Sequence, residues 1–205
     1  MPPAARFLLF DPVGDRWPRV SLPQVAFAGR SNVGKSSLLN ALVGQSRLAR
    51  VSNTPGRTRG IALFEVEGRF AFADLPGYGF ARVSRGEREA WKDLVEGYLD
   101  RCRLLRKVYI LVDLRRGPED EERQLAEYLS ARSVPYRWVG TKADKLGARE
   151  RSAAEALFLG EAWLAAGGPA VLTSARTKAG IDLLWRDVRA AFSAAFSVDS
   201  KGRKG

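Results

Sequence analysis

The chain contains no histidine, and this absence excludes more chemistry than any single residue supplies. Histidine triads, histidine general bases and histidine metal ligands are all removed. Any metal is then expected to be a hard, oxygen-bound ion such as Mg²⁺. Cys102 is the only cysteine, so no intramolecular disulfide forms and a reducing compartment is expected. No apolar run is long enough to span a bilayer, which predicts no membrane insertion. Phe7-Leu-Leu-Phe10 is too short for a secretory core, and Asp11 ends it. Acidic residues are in short supply: 23 against 34 Lys and Arg, a formal charge of +11 supplied mostly by arginine. Such an excess favours polyanionic partners, RNA ahead of membrane lipid. The 205 residues suffice for one domain with a full core.

What is present centres on Gly29-Arg30-Ser31-Asn32-Val33-Gly34-Lys35-Ser36. It fits the G-x-x-x-x-G-K-[ST] pattern of a phosphate-binding loop. Residues 24–28 before it read as a buried strand and residues 37–43 after it as a helix, the setting the motif requires. Successive N–H groups in such a turn form a nest for phosphate oxygens, and the helix N-terminus adds donors and a positive dipole end. Lys35 is expected to reach the β- and γ-phosphates, and the Ser36 hydroxyl to ligate Mg²⁺.

Strands are expected at 24–29, 61–67, 69–74, 108–112, 136–140 and 170–173. Helices are expected at 35–43, 87–102, 119–132, 149–166 and 180–193. This alternation predicts a three-layer α/β fold of the P-loop NTPase type, a G domain whose six-stranded sheet is mostly parallel with one antiparallel edge strand. Residues 1–20 read as a short extension with at most one edge strand, 21–193 as the domain, and 194–205 as a basic, disordered tail. Residues 45–60 form an unusually long connection, which marks a functional loop. Loops after parallel strands converge on one end of the sheet, where ligands bind.

Each of those loops carries a candidate motif. Asp74-Leu75-Pro76-Gly77 closes the second hairpin strand, with Asp74 set to hold Mg²⁺ directly or through water and the Gly77 N–H to sense a γ-phosphate. In the long loop, Gly56-Arg57-Thr58-Arg59-Gly60 includes Thr58, whose hydroxyl can join the Mg²⁺ shell; Thr54 competes for that role. Thr141-Lys142-Ala143-Asp144 selects the base. A carboxylate only accepts hydrogen bonds, and guanine offers two donors on one edge where adenine offers none. Discrimination in such a site reaches about 10⁴-fold. The Lys142 stem would cover the base plane, and Ser174-Ala175 would supply N–H groups to the guanine O6, with Thr173 before them in the nucleotide site. The readings that compete are an adenine-nucleotide enzyme such as a small kinase, and a binding module that exchanges nucleotide without hydrolysing it.

Together these motifs resemble a translation-factor-class GTPase, and more narrowly the EngB family (also called YihA or YsxC). The resemblance rests on Gly-Arg-Ser-Asn-Val-Gly-Lys-Ser-Ser from Gly29, Thr-Pro-Gly-Arg-Thr from Thr54, Asp-Leu-Pro-Gly-Tyr-Gly-Phe-Ala from Asp74, Glu-Arg-Glu-Ala-Trp at 87–91 and Thr-Lys-Ala-Asp from Thr141. It covers about residues 20–192. It implies a monomeric GTPase of the bacterial cytoplasm that cycles between GTP and GDP. It also implies assistance in assembling the large ribosomal subunit on its precursor and ribosomal RNA, and loss that disturbs cell division and septation. Lys35, Thr58 and Gly77 are the residues it implies for hydrolysis. Thr141 stands where most GTPases have asparagine, and Tyr78 where many place a water-orienting glutamine. Intrinsic hydrolysis is therefore expected to be slow. Asn32 resembles the P-loop asparagine of potassium-stimulated GTPases, where K⁺ near the phosphates neutralises charge. Arg82, Arg85, Arg88 and the arginines between 101 and 106 are expected to offer an RNA-facing surface near the second switch.

Overall fold

The structure is a computed structural model, and it describes residues 3–50, 60–78, 85–162 and 169–199. Seven strands form one sheet in the order β1-β3-β4-β2-β5-β6-β7: β1 Ala5–Asp11, β2 Gln24–Gly29, β3 Ile61–Val66, β4 Phe70–Asp74, β5 Leu105–Asp113, β6 Tyr136–Thr141 and β7 Val171–Leu172. The pairs β2–β4, β2–β5, β5–β6 and β6–β7 are parallel, whereas β3 runs against both β4 and β1. The fold class is the expected one, and the difference lies at the edge. The antiparallel strand is covered by β1, so residues 5–11 extend the sheet to a seventh strand.

Alternation along the strands builds two cores. Val25 and Phe27 of β2 face one side, with Phe64, Phe72, Tyr109 and Val139. Helices α1 (Lys35–Val43) and α5 (Ile181–Asp199) cover that side through Leu38, Leu42, Leu184 and Val188. Ala26 and Ala28 face the other side, with Leu63, Ile110, Val112 and Trp138. There α2 (Arg85–Arg101), α3 (Asp120–Ala131) and α4 (Ala148–Ala162) add Val95, Tyr98, Leu125, Leu129 and Phe158. The small alanines of β2 leave room for the bulkier side chains of α2. The last helix runs to Asp199, past the expected end at 193, because 181–199 contains neither glycine nor proline to stop it. Among the described residues no helix is long and apolar enough to cross a membrane.

Asp11 ties the first strand to the domain. Its fully buried carboxylate accepts from the backbone N–H groups of Val13, Gly14, Asp15, Arg16 and Trp17 at 2.7–3.3 Å. The turn so formed seats Trp17 edge-on against Tyr98 of α2, ring centroids 5.1 Å apart. Burial alone would raise the Asp11 pKa, but the donors from Trp17, Arg16, Gly14 and Asp15 outweigh it and hold the group below its ordinary value of 3.8. A depressed folded-state pKa means that this stabilisation is complete above the unfolded value and is lost as pH falls through the folded one. Asp11→Asn turns an amide N–H₂ toward backbone donors, so it should lower stability by roughly 2–4 kcal/mol at neutral pH. Urea melts of the two proteins at pH 7 and pH 3 check this: the gap should be smaller at pH 3.

Candidate functional site

The carboxyl ends of β2, β4, β5, β6 and β7 meet at one rim of the sheet. The loop after β2 is shaped by its backbone. Asn32 adopts φ 64° and Gly34 φ 108°, and Gly34 caps the N-terminus of α1 in a left-handed conformation that strains any other L-residue. The loop is zipped to the segment after β4. Arg30 and Tyr78 form a parallel bridge, Ser31 N–H donates to Tyr78 O at 2.8 Å, and Leu75 N–H donates to Phe27 O at 3.1 Å. A Cβ on Gly77 would lie 3.1 Å from Ser31 Oγ and 3.3 Å from Ser31 N, so only glycine lets the two segments approach this closely.

Lys35 lies where the motif places it, and its ammonium is fully engaged. It pairs with the Asp74 carboxylate and donates to Leu75 O. Both side chains are nearly buried, at 12% and 6% exposure, so a phosphate entering the loop meets a lysine already neutralised by Asp74. Ser36 begins the first turn of α1. Oxygen donors of the Ser36 and Asp74 type suit Mg²⁺. Among the described residues no cluster of three or more His, Cys, Asp or Glu could hold a metal alone. The donor set therefore fits an ion held jointly with phosphate oxygens.

The segment after β6 grips the loop after β2 through main-chain carbonyls. Thr141 Oγ1, almost fully buried, lies 2.6 Å from Val33 O and 3.1 Å from Val112 O. Lys142 has φ 60° and donates to Asn32 O at 2.6 Å and to Asp113 Oδ2 at 2.9 Å. Asp113 also binds Arg115 side-on through Nε and Nη2. Burial would raise the Asp113 pKa; the hydrogen bonds from Arg115 and Lys142 overcome it and hold the carboxyl far below the usual range. Ala143 N–H donates to Thr173 O at 3.1 Å, joining this segment to the loop after β7. Asp144 accepts from Ser174 Oγ at 2.6 Å and from Arg176 Nε at 2.8 Å. The Ser174 hydrogen bond, more than the arginine, lowers its pKa. Ser174 N–H is committed to Ala179 O at 3.0 Å, so of this pair Ala175 is the one to consider as the O6 donor.

Two side chains and one group of arginines depart from a simple reading of their positions. Arg30, within the phosphate loop, turns to Glu119 and Glu121 at the start of α3. Tyr78, at the glutamine position, is 7% exposed and packs edge-on against Trp91 with centroids 5.3 Å apart. Its hydroxyl lies by the buried Glu122 carboxyl without a hydrogen bond of ordinary geometry; burial, then Glu122, pushes the phenol well above its usual range. Trp91 in turn donates to Pro76 O at 2.8 Å, which fixes the start of α2 to the acidic loop. The third departure corrects an expectation. Arg101, Arg103 and Arg106 flank the start of β5, at the amino end of the strands, so they lie across the sheet from the nucleotide rim rather than beside the second switch. Gly56, Arg57, Thr58, Arg59 and Arg82 lie outside the described residues, and the side chains of Arg85 and Arg88 are likewise undescribed. Gly60 is described and buried; a Cβ there would come within 2.6 Å of Asp11 O. Asp113 and Arg176 escaped sequence reasoning, although a carboxylate ending the apolar β5 run was a visible signal for the former.

A glycine loop on a strand–helix junction, an acidic strand end zipped to it, and an acceptor-only base motif define a P-loop GTP-binding protein. Comparisons narrow the class. Residues 24–142 match the family described as 50S ribosome-binding GTPase. A protein of Desulfovibrio desulfuricans named "Probable GTP-binding protein EngB" is 46% identical over 167 residues, covering 80% of this chain and 81% of its own. A protein of the same name from Anaeromyxobacter is 45% identical over 184 residues, covering 85% of each. The chain belongs to the EngB family of GTP-binding proteins, which supports GTP binding and hydrolysis as its activity. Solved structures agree on the fold. A probable GTP-binding protein EngB superposes with TM-score 0.67 at 22% identity, covering 83% of this chain and 99% of that one. A tyrosine-to-alanine variant of Aquifex aeolicus Era, bound to GDP.AlF4-, superposes with TM-score 0.61 at 19% identity over 82% of this chain and 56% of that one.

The Thr141 contact yields a direct test. Thr141→Ala removes the single hydroxyl proton shared between the Val33 and Val112 carbonyls and should cost about 1–2 kcal/mol of stability. Nucleotide affinity should fall with it, while Thr141→Ser restores both. Thermal melts and GDP titrations on the three proteins check the pattern.

Proposed function

We propose that the chain is a Mg²⁺-dependent GTPase switch, slow by itself, that assists assembly of the large ribosomal subunit and through it normal cell division and septation. The observation that carries the switch is the Lys35–Asp74 pair. Incoming phosphate competes with Asp74 for the same ammonium. Binding then frees a carboxylate next to Gly77 and loosens the segment that holds Tyr78 and Trp91. Mg²⁺, held by Ser36 and, in this reading, Thr58, supplies charge neutralisation at the phosphates. Lys35 and the loop N–H groups, Gly29 through Ser36, orient the phosphate chain; Asp74, Leu75, Pro76 and Gly77 report its γ-end. Thr141, Lys142, Ala143 and Asp144 recognise guanine, with Thr173, Ser174 and Ala175 bounding the pocket.

Slow hydrolysis follows from Tyr78, whose ring is buried under α2 and cannot orient a water. K⁺ at Asn32, or a ribosomal contact, would supply what is missing. The ribosomal partner is supported by the matched family's description and by the +11 charge. The family resemblance supports a monomer acting in the bacterial cytoplasm. Two measurements decide the reading. Single-turnover phosphate release should be slow alone and rise with K⁺ or large-subunit precursors; no release under any condition would reduce the protein to an exchange module. Asp144→Asn should weaken GTP and favour xanthine nucleotides, which accept where guanine donates; unchanged GTP affinity would count against the base assignment.

A further inference from the structure

We propose that Arg176 is a positioning residue for base recognition, holding the Asp144 carboxylate aimed with one acceptor direction left open on each oxygen. The proposal rests on the reading of Asp144 as the guanine acceptor. Its basis is geometric. Ser174 Oγ meets Asp144 Oδ1 at 2.6 Å and Arg176 Nε meets Oδ2 at 2.8 Å, one donor to each oxygen. A carboxylate has about four lone-pair directions, so two remain, and the guanine edge brings two donors. Arg176 engages through Nε alone. A two-pronged guanidinium contact would, together with Ser174, occupy three of those directions and leave one acceptor for the two guanine donors.

The supporting loop is itself fixed. Thr177 N–H donates to Ser174 Oγ at 3.1 Å and Ser174 N–H to Ala179 O at 3.0 Å. Both donors to Asp144 thus arrive on one tight turn after β7. The Asp144 side chain is 7% exposed and that of Arg176 is 70% exposed. A nearly buried anion needs a charge partner and a fixed rotamer, and an exposed arginine supplies both with little stake in the fold. A pre-aimed acceptor loses less freedom when the base binds, so the gain appears as affinity.

The opposite role gives the opposite sign. Were Arg176 a competitor that guanine must displace, removing it would tighten binding. The test uses the full chain, with Arg176→Ala and Arg176→Lys, and reads GDP, GTP and the inosine nucleotides, which lack the 2-amino donor. Arg176→Ala should weaken GDP and GTP about 10-fold, mainly through faster dissociation. Inosine nucleotides, offering one donor, should weaken less, so the guanine-to-inosine preference falls several-fold. Arg176→Lys, which keeps the charge beside Asp144, should recover part of the loss with its melting temperature unmoved. Unchanged or tighter guanine binding overturns the proposal. So does an equal loss for guanine and inosine nucleotides, which would make Arg176 a general phosphate attractor. A lowered melting temperature in both variants overturns it as well, by making the effect one of folding. Asp144→Asn, measured alongside, separates the two failures: if it does not shift preference toward xanthine, the base reading itself falls.

Discussion

The register of four parallel strands is the constraint from which the site follows. Phe27 of β2 pairs with Asp74 of β4, Gly29 with Leu111 of β5, and Asp113 of β5 with Thr141 of β6. Each chemical residue therefore leaves its strand at a fixed step: Asp74 is level with Phe27 and Tyr109, Gly29 lies two residues further along, and Asp113 and Thr141 two beyond that. Side chains in a strand alternate with period two, so a slip of one residue would turn Asp74 into a core and bring an alanine to the rim. The two cores lock this register from both sides. β2 sits at the centre with alternate bulky and small residues, Val25 and Phe27 toward α1, Ala26 and Ala28 toward α2. The phosphate loop is thus an extension of the most buried strand in the sheet, and inherits its rigidity.

The opposite end of the sheet shows how the same fold treats charge without a ligand. Asp187 of α5 is nearly buried and receives Lys107, Arg137 and the Tyr109 hydroxyl at 2.8–3.3 Å. Removing either cation would leave an undercompensated buried carboxylate, the costly case for buried ion pairs. At the carboxyl rim, Lys35 and Asp74 compensate one another in a similar way, as a single pair.

Most of the fold was legible because each element carried its own period and its own punctuation. β2, α1 and β6 matched expectation closely, since glycine or a motif residue bounds each of them. β1 was less so. Its pairing depends on Phe7 packing on Phe64 and on Asp11 gathering five N–H groups, and no local pattern announces a contact made to residues 61–66. The site divided the same way. Lys35, Ser36 and Asp144 are proposed from spacing alone, and the structure sets all three at the same rim. Arg176 was not legible, because its meaning comes from a turn that folds it back onto a residue 32 positions earlier. Arg101, Arg103 and Arg106 were misplaced for a related reason: composition reports charge, while only topology says which end of a helix faces the ligand.

The phosphate loop is held by its neighbours through main-chain oxygens: Val33 O by Thr141 and Asn32 O by Lys142. Any amino acid presents the same carbonyl. Val33 is anchored in the core, but the exposed Asn32 side chain is released from the task of fastening the loop, and its position becomes one at which evolution can exchange residues without loosening that grip. Arg30 adds a side-chain tie of its own, to Glu119 and Glu121 at the acidic start of α3.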